Sequence, residues 1–185
     1  MEVKGTALLA IRDFVKKNHE NAFEKWLNNL PNDSKAIYSD TIDSTKWYPV
    51  DQAASLPTKT ICTMFFEGNE MMGAWECGRY SAEKALTGIY KIFVRASSPG
   101  FIITRAKDIF ARYYRPMEMQ IADKTSKSVV LHIVNTEKSD AIIEHRIAGW
   151  IEKALEISGT ISPQVRITKS ITKGDKITEF DIRWN

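Results

Sequence analysis

Residues 117–134, Met-Glu-Met-Gln-Ile-Ala-Asp-Lys-Thr-Ser-Lys-Ser-Val-Val-Leu-His-Ile-Val, decide the fold class of this chain. Apolar and polar side chains alternate from 117 to 121, which is the period of a strand with one buried face. The polar residues 125–127 indicate a hairpin turn, and the apolar run 129–134 indicates the partner strand. Upstream of this stretch the apolar residues recur at helical spacing, so the chain changes here from helices to strands.

One helix and two further strands follow the hairpin. Apolar residues at helical spacing predict a helix that begins near Ser139, and Gly159 lies just beyond its end as a C-terminal cap. Alternation at 165–171 and again at 180–184 predicts two more strands. Because hairpins lie on both sides of one helix, residues 116–185 predict a four-stranded antiparallel sheet, in the order ββαββ, with that long helix packed on it.

Residues 1–115 form the helical part of the prediction. Amphipathic periodicity predicts helices over 3–17, 20–30, 50–66, 70–96 and 98–115. The mostly polar residues 36–43 predict a loop or a brief extended piece, and Pro57 predicts a kink or a split in the third helix near Leu56. Gly73 and Gly78, inside the fourth helix, predict a close approach by another backbone or by a ligand. We therefore expect an α+β protein.

The composition is that of one folded domain over residues 1–185. Hydrophobic residues make up 43% and charged residues 26%, as in an ordinary globular chain. No signal peptide and no apolar run long enough for a membrane span is visible, so we expect a cytoplasmic protein without a transmembrane segment. Cys62 and Cys77 lie in apolar contexts, which predicts buried thiols and no disulfide framework.

The net charge of +3 is too small to indicate nucleic acid, so no nucleic-acid partner is expected. The charge is unevenly distributed, however. Between Arg79 and Arg115 there are eight Lys/Arg residues against two acidic residues. Two interpretations of this segment stay open: solvated basic faces of two helices, or a surface for an anionic ligand, an acidic partner or a lipid headgroup.

The residue types that usually perform catalysis or bind metals form no recognisable pattern. His19, His132 and His145 lie in different predicted elements and share no short metal-ligand spacing. No serine lies in a nucleophile elbow, and no glycine-rich loop joins a strand to a helix. The sequence therefore predicts no catalytic residues and no metal site, and it favours binding over catalysis.

Residues 72–80, Met-Gly-Ala-Trp-Glu-Cys-Gly-Arg-Tyr, are the densest candidate for a binding site. Trp75 and Arg79 are four residues apart and share one helical face. They could form a pocket wall in which Arg79 meets an anionic group, or Trp75 could lie in the core while Arg79 reaches solvent. The ligand-binding residues predicted from the sequence are Trp75, Arg79, Tyr80 and Tyr114.

A series of local features, spread over nearly the whole chain, resembles a known superfamily. The features are Val3-Lys4-Gly5, Trp47-Tyr48-Pro49, Gly78 ahead of a helix with Tyr90, Ser98-Pro99, Tyr113-Tyr114, Gly149-Trp150 and Phe180-Asp181-Ile182-Arg183-Trp184. The chain resembles bacterial proteins related to the haem nitric-oxide/oxygen-binding (H-NOX) domains and to the 4-vinyl-reductase domains. The resemblance implies a helical part that leads into an antiparallel sheet with one long helix, which agrees with the periodicity.

The resemblance also indicates which residues would bind a haem. H-NOX domains use a histidine in the long helix ahead of the sheet, and a Tyr-x-Ser-x-Arg motif for the haem propionates. Residues 98–114 contain no histidine, and residues 120–128 contain no such motif. We therefore expect a bacterial branch that lacks the haem-ligating histidine and takes no cofactor, haem included.

The implied function is a ligand-binding or sensory module. The 4-vinyl-reductase relatives bind small hydrophobic molecules, so the expected ligand is small, partly apolar and able to carry a negative charge. A homodimer or a signalling protein partner is expected. The alternatives are a dimeric protein–protein adaptor, as in vesicle-tethering subunits of similar shape, and a haem-based gas sensor with non-standard ligation. An enzyme of tetrapyrrole metabolism, or a surface for membranes or nucleic acid at 79–115, is a further alternative.

Overall fold

The computed structural model describes residues 1–86, 98–134, 136 and 140–185, and it has an α+β fold. Its helices are α1 (Gly5–Asn18), α2 (Phe23–Asn29), α3 (Asn32–Ser39), α4 (Leu56–Phe65), α5 (Glu70–Ala85), α6 (Pro99–Tyr113) and α7 (Ala141–Ile157). Its strands are β1 (Glu2–Lys4), β2 (Trp47–Pro49), β3 (Tyr114–Arg115), β4 (Glu118–Lys124), β5 (Ser128–Val134), β6 (Gln164–Lys169) and β7 (Thr178–Arg183). No helix in these ranges is both long and apolar enough to cross a lipid bilayer.

The larger sheet confirms the predicted fold class. Its strands lie in the order β4-β5-β7-β6, and every neighbouring pair is antiparallel. Val129, Leu131 and Ile133 are the buried alternate residues of β5, and Leu131 lies opposite Phe180 of β7. The period of two in the sequence therefore identified the strands correctly, because one face of this sheet faces the core.

Helix α7 lies between the helical part and the sheet. It packs against α5 on one side and against β6 on the other. Toward the sheet, the buried carboxylate of Glu144 accepts hydrogen bonds from the hydroxyl groups of Ser170 and Thr178, at 2.6 and 2.5 Å. These bonds tie the N-terminal turn of α7 to the connection between β6 and β7.

Two glycines let the backbones of α5 and α7 approach closely. A Cβ atom at Gly78 would overlap the carbonyl oxygen of Arg146, and one at Gly149 would overlap the carbonyl oxygen of Trp75. Earlier in α5, a Cβ atom at Gly73 would come within 3.2 Å of the Cα atom of Cys62. The close approach predicted for Gly73 and Gly78 is therefore confirmed.

The helical part contains elements that the sequence did not predict. β2, β1 and β3 form a three-stranded antiparallel sheet. The loop or extended piece predicted at 36–43 is wrong for its first half, because α3 continues to Ser39. Tertiary hydrogen bonds hold α3 in place: Ser34 Oγ donates to the carbonyl of Gln52 at 2.6 Å, and Tyr38 Oη donates to that of Ala53 at 2.7 Å. Such contacts override weak local propensity.

Pro57 marks a change of geometry within a continuous helical stretch. It is the second residue of α4, in the first turn, where proline is tolerated. A π-helical segment, Asp51–Ser55, leads directly into that turn. The split predicted near Leu56 is therefore observed as a junction between π-helical and α-helical geometry.

Two sequence predictions fall partly outside the described residues. The helix predicted at 70–96 is described as far as Ala85, and Tyr90 lies outside the described residues. Ser139, the predicted start of the late helix, also lies outside them. The N-cap of α7 is Asp140, whose carboxylate accepts a hydrogen bond from the backbone N–H of Ile142 at 2.8 Å.

Candidate functional site

A partly open cavity of about 200 Å³ lies among α1, α5, α6 and α7. Its walls are mostly apolar. The residues that line it are Thr6, Ala7, Leu9, Ala10, Asp13, Gly78, Ser81, Lys84, Ala85, Phe110, Tyr113, Tyr114, Arg146, Ile147 and Trp150. Cavities with this character, apolar with a few polar groups, are the usual sites for small ligands.

Small side chains create the space. The residues that α1 and α5 contribute include several with short side chains, which leave the space unfilled: Ala7, Ala10, Gly78, Ser81 and Ala85. The small residues of each helix are three or four positions apart, so they lie on one face of that helix. The cavity therefore follows from where the chain places small residues on two helices.

Aromatic side chains form the opposite wall. Helix α6 begins with the Ser98 cap, whose hydroxyl accepts a hydrogen bond from the backbone N–H of Phe101, at 3.3 Å. At its other end Phe110 meets the Trp150 ring edge-on, with 5.2 Å between the ring centroids. Tyr114 adds a third ring, 6.4 Å from Phe110. Such edge-to-face packing fixes the positions of the rings.

Arg146 is the buried charge of the site, with 4% of its surface exposed. Its Nη1 donates to Thr58 Oγ1 at 3.1 Å, and its Nη2 donates to Ser81 Oγ at 3.4 Å. Its Nε has no hydrogen-bond partner. Within the described residues no carboxylate lies within 4.0 Å of this guanidinium. A buried cation without a counter-ion is costly to maintain.

The groups around Arg146 stay neutral. Burial raises the pKa of the Cys77 thiol to about 12, although the Arg146 charge opposes this shift. Burial also raises the pKa of the Tyr38 phenol, against the charges of Arg146 and Arg12. Because both groups keep their protons at neutral pH, neither supplies a negative charge to balance Arg146.

Away from Arg146, the described cavity lining contains an ion pair and a phenol with a raised pKa. Asp13 and Lys84 form an ion pair at the rim, with 3.4 Å between Asp13 Oδ2 and Lys84 Nζ. Burial, and then the neighbouring Tyr114, raise the pKa of the Tyr113 phenol. Tyr113 is therefore a neutral hydroxyl at physiological pH unless a metal ion displaces its proton.

The structure brings Trp75 and Arg79 together, but away from the cavity lining. Trp75 Nε1 donates to Glu152 Oε2 at 2.9 Å, and Arg79 Nη1 donates to the same oxygen. Arg79 also forms two hydrogen bonds with the Glu156 carboxylate, at 3.0 and 2.8 Å. These contacts join α5 to α7 at the outer edge of their interface.

Of the other predicted residues, one lines the cavity and one does not. Tyr114, only 5% exposed, lies in the wall beside Phe110. The Tyr80 ring packs edge-on against Phe14, with 5.5 Å between centroids, and its hydroxyl is buried without a partner. Arg146 was not among the residues predicted from the sequence. The available signal was an arginine at helical spacing between Ile142 and Trp150, inside the apolar stripe of α7.

All three histidines of the chain lie in described residues, and none of them lines this cavity. The His19 ring stacks on Phe65, with 3.7 Å between centroids. His132 Nε2 lies 2.7 Å from a carboxylate oxygen of Glu179. His145 Nδ1 lies 2.7 Å from the carbonyl oxygen one turn earlier. No cluster of three or more metal-ligating side chains occurs in the described ranges.

Solved structures match this chain over nearly its whole length, whereas no protein-family model matches it and no curated protein matches it significantly. An H-NOX protein from K. algicida, Fe(II) unliganded, is 13% identical; the match covers 98% of this chain and 96% of that one, with a TM-score of 0.70. An H-NOX protein from S. oneidensis, in the Fe(II)NO ligation state, is 12% identical, with 98% and 99% covered and a TM-score of 0.65. At these identities the matches establish the fold, which is that of H-NOX domains.

The expectation of no cofactor is contradicted by these matches. The matched proteins contain Fe(II). A further match, from work on modulating haem redox potential through porphyrin distortion, has 10% identity, coverage of 98% and 99%, and a TM-score of 0.63. The expectation was wrong because it rested on the absence of one iron ligand, histidine, and of one propionate motif, Tyr-x-Ser-x-Arg. Haem iron is also held by cysteine, methionine or tyrosine, so the lack of a histidine in 98–114 does not exclude haem.

The cavity lining fits such a group in its chemistry, but its volume of about 200 Å³ is too small for a whole porphyrin, so binding would require the walls to move apart. The aromatic wall suits a flat apolar ring system, and Arg146 suits a carboxylate. Among the side chains known to hold haem iron, the described lining offers tyrosine alone, at Tyr113 and Tyr114. These are the residues that could hold the group.

Proposed function

We propose that this chain is a haem-binding sensor module that uses tyrosine ligation. It belongs, in this proposal, to a branch of the superfamily without the usual histidine ligand, near the 4-vinyl-reductase-like proteins, and residues 1–185 act as one domain. The observation that carries the proposal is the aromatic cavity among α1, α5, α6 and α7, with Tyr113 and Tyr114 in its wall. The likeness of the fold to H-NOX proteins over 98% of the chain supports it.

Each part of the cavity has a task in this proposal. Phe110 and Trp150 would hold the ring system by stacking and exclude water from it. Tyr113 or Tyr114 would lose its phenol proton and coordinate the iron through the phenolate oxygen. The group itself would supply a site for a diatomic gas. Binding of that gas is a sensing event and needs no catalytic residue.

Titration of the purified chain with hemin tests the proposal. We expect a stoichiometric complex with a sharp Soret absorption band. Tyr113→Phe or Tyr114→Phe should shift that band and weaken binding at least about tenfold, because one of the phenols is the iron ligand. His19→Ala, His132→Ala and His145→Ala are the matched controls and should leave the band unchanged. A chain that binds no hemin, or one whose band depends on a histidine, would contradict the proposal.

A second candidate is favoured by the size of the cavity. Its volume of about 200 Å³ lies below the roughly 300–1,000 Å³ of typical drug-sized sites, which favours a smaller, partly apolar, anionic ligand. Native mass spectrometry beside a denatured mass separates the two candidates by the mass that leaves on denaturation. The partner of either module would be a signalling protein or a second copy of the chain. A bare dimeric mass would instead support the adaptor.

A further inference from the structure

Arg146 has more hydrogen-bond donors than the protein satisfies. A guanidinium carries five N–H donors, and two protein hydroxyl groups, those of Thr58 and Ser81, receive hydrogen bonds from this one. Its Nε is buried without a partner, although the side chain lines the cavity. A native structure satisfies nearly all buried polar groups, so unsatisfied donors on a side chain that lines a cavity indicate an acceptor that the protein itself does not supply.

The neighbourhood of Arg146 repeats this excess of donors. Arg12 Nε and Ser55 Oγ are also buried without partners. Ser55 and Thr58 are three residues apart and so lie on one helical face. The charges of Arg12 and Arg146 both oppose the burial that raises the pKa of the Tyr38 phenol. Arg146, and Ser55 close to its partner Thr58, therefore both have hydrogen-bond donors that the protein does not satisfy.

The rest of the wall limits what the missing acceptor can be. Phe110, Ile147 and Trp150 lie in the same lining as Arg146, so most of the ligand must be apolar. The only described carboxylate in the lining, Asp13, is paired with Lys84. A carboxylate matches the planar fork of an arginine and carries one negative charge, whereas a phosphate would bring more charge into an apolar cavity.

We infer that the cavity binds a carboxylate attached to an apolar body, with Arg146 as the group that recognises the carboxylate. This inference deepens the proposed function and rests on it for the location of the ligand. The carboxylate could belong to a haem or to a free small organic acid. The recognition chemistry is the same in both cases, and the choice of probe distinguishes the two sources of the carboxylate.

The test compares acids with their neutral counterparts on the full chain. Calorimetric titration would use naphthalene-1-carboxylate against naphthalene-1-carboxamide, and absorption titration would use hemin against hemin dimethyl ester. The variants are Arg146→Met and Arg146→Lys, and the control is Arg166→Met, which changes an exposed arginine on β6. Near-UV circular dichroism checks that each variant is folded, and the lysine variant retains a cation if the methionine variant does not fold.

We expect the wild-type chain to bind at least one acid about tenfold or more tightly than its neutral counterpart, because a charged hydrogen-bonded pair replaces a neutral contact. Arg146→Met should remove this preference, Arg146→Lys should keep part of it, and Arg166→Met should keep all of it. A preference confined to hemin identifies haem as the source, and one confined to the naphthalene acid identifies a free organic acid.

The two proposals fail in different ways. If hemin binds but neither acid is preferred over its counterpart, or if the preference survives Arg146→Met, the inference is overturned and the haem proposal stands. If hemin does not bind but the naphthalene acid shows a preference that depends on Arg146, the haem proposal fails and the inference stands. If neither probe binds, both are overturned.

Discussion

Two arginines lie at the interface between α5 and α7, one at each edge, and their partners differ. At the outer edge Arg79 meets the carboxylates of Glu152 and Glu156. At the inner edge Arg146 meets hydroxyl groups alone among the described residues. The outer arginine completes a structural ion pair, whereas the inner one keeps its charge unbalanced beside a cavity. An arginine with a carboxylate partner in the protein is thus distinguished from a candidate binding residue, which has none.

The largest expected effect comes from separating the two helices, which would break both edges at once. Gly78→Leu places side-chain atoms where the carbonyl oxygen of Arg146 lies. We expect a loss of about 3 kcal/mol in the free energy of unfolding, measured by urea denaturation. The control is Gly100→Ala, whose nearest atoms belong to the flexible end of Lys124. A Gly78→Leu variant as stable as that control would show that the helices do not depend on this contact.

The next effect concerns the outer edge alone. Arg79→Met leaves Glu152 and Glu156 without their shared cation, and the Arg79 side chain is only 22% exposed. We expect a loss of about 1–2 kcal/mol in the free energy of unfolding, which allows for partial exposure of the pair. Arg166→Met, on the exposed side of β6, should change stability by less than about 0.5 kcal/mol. Equal losses in the two variants would mean that the ion pair contributes nothing.

A smaller effect is expected at the inner edge. Arg146→Met removes a buried cation that has no acidic partner in the described structure. Because the lost hydrogen bonds are offset by the removal of an uncompensated charge, stability without ligand should stay within about 1 kcal/mol of wild type. Urea denaturation of the ligand-free protein measures this. A loss as large as that of Arg79→Met would show that Arg146 is a structural residue and would remove the contrast.

The smallest effect is a dependence on pH that only the outer edge should show. Burial raises the pKa of Glu156, but the hydrogen bond and charge of Arg79 outweigh it, so the pKa lies below its ordinary value of 4.5. A carboxyl whose folded pKa is lowered stabilises the protein above its unfolded pKa and loses that contribution as the pH falls through the folded pKa.

Urea denaturation at pH 7 and at several values below 4.5 tests this dependence. The difference in stability between wild type and Arg79→Met should shrink as the pH falls, because protonation of Glu156 removes the pair that distinguishes them. The difference between wild type and Arg146→Met should stay constant. Comparing differences cancels other groups such as Glu179, whose pKa is lowered to about 2 mainly by its hydrogen bonds with Lys169 and Thr168. A constant difference for Arg79→Met would contradict the assignment.

The parts of the fold that the sequence predicted are those encoded locally. The alternation at 117–121 and 129–134 records which side of each strand faces the core, so the large sheet was predictable. Helix α3 and the small sheet are different. They depend on partners far along the chain, such as Ala53 for Tyr38 and Glu2 for Arg115, which no local pattern reports.

The candidate site was less predictable for the same reason. Arg79 and Arg146 look alike in the sequence, and their acid partners decide what they do. Glu152 lies 73 residues from Arg79, and such a pairing is visible only once α5 and α7 are packed. The cavity likewise arises from small residues on α1 and α5, which are separated in the sequence by residues 19–69. Local signs of the site were few: Gly78 and Tyr114, which the sequence did indicate, and the arginine inside an apolar stripe, which it did not select.

The position of α7 has a consequence for how the cavity and the larger sheet are connected. On one side its backbone touches that of α5 at Gly78 and Gly149, with no side chain between them to absorb movement. On the other side Glu144 anchors it to Ser170 and Thr178. Arg146 lies two residues after Glu144 on this helix, so a single helical turn carries both the buried charged group of the cavity lining and the anchor to the larger sheet.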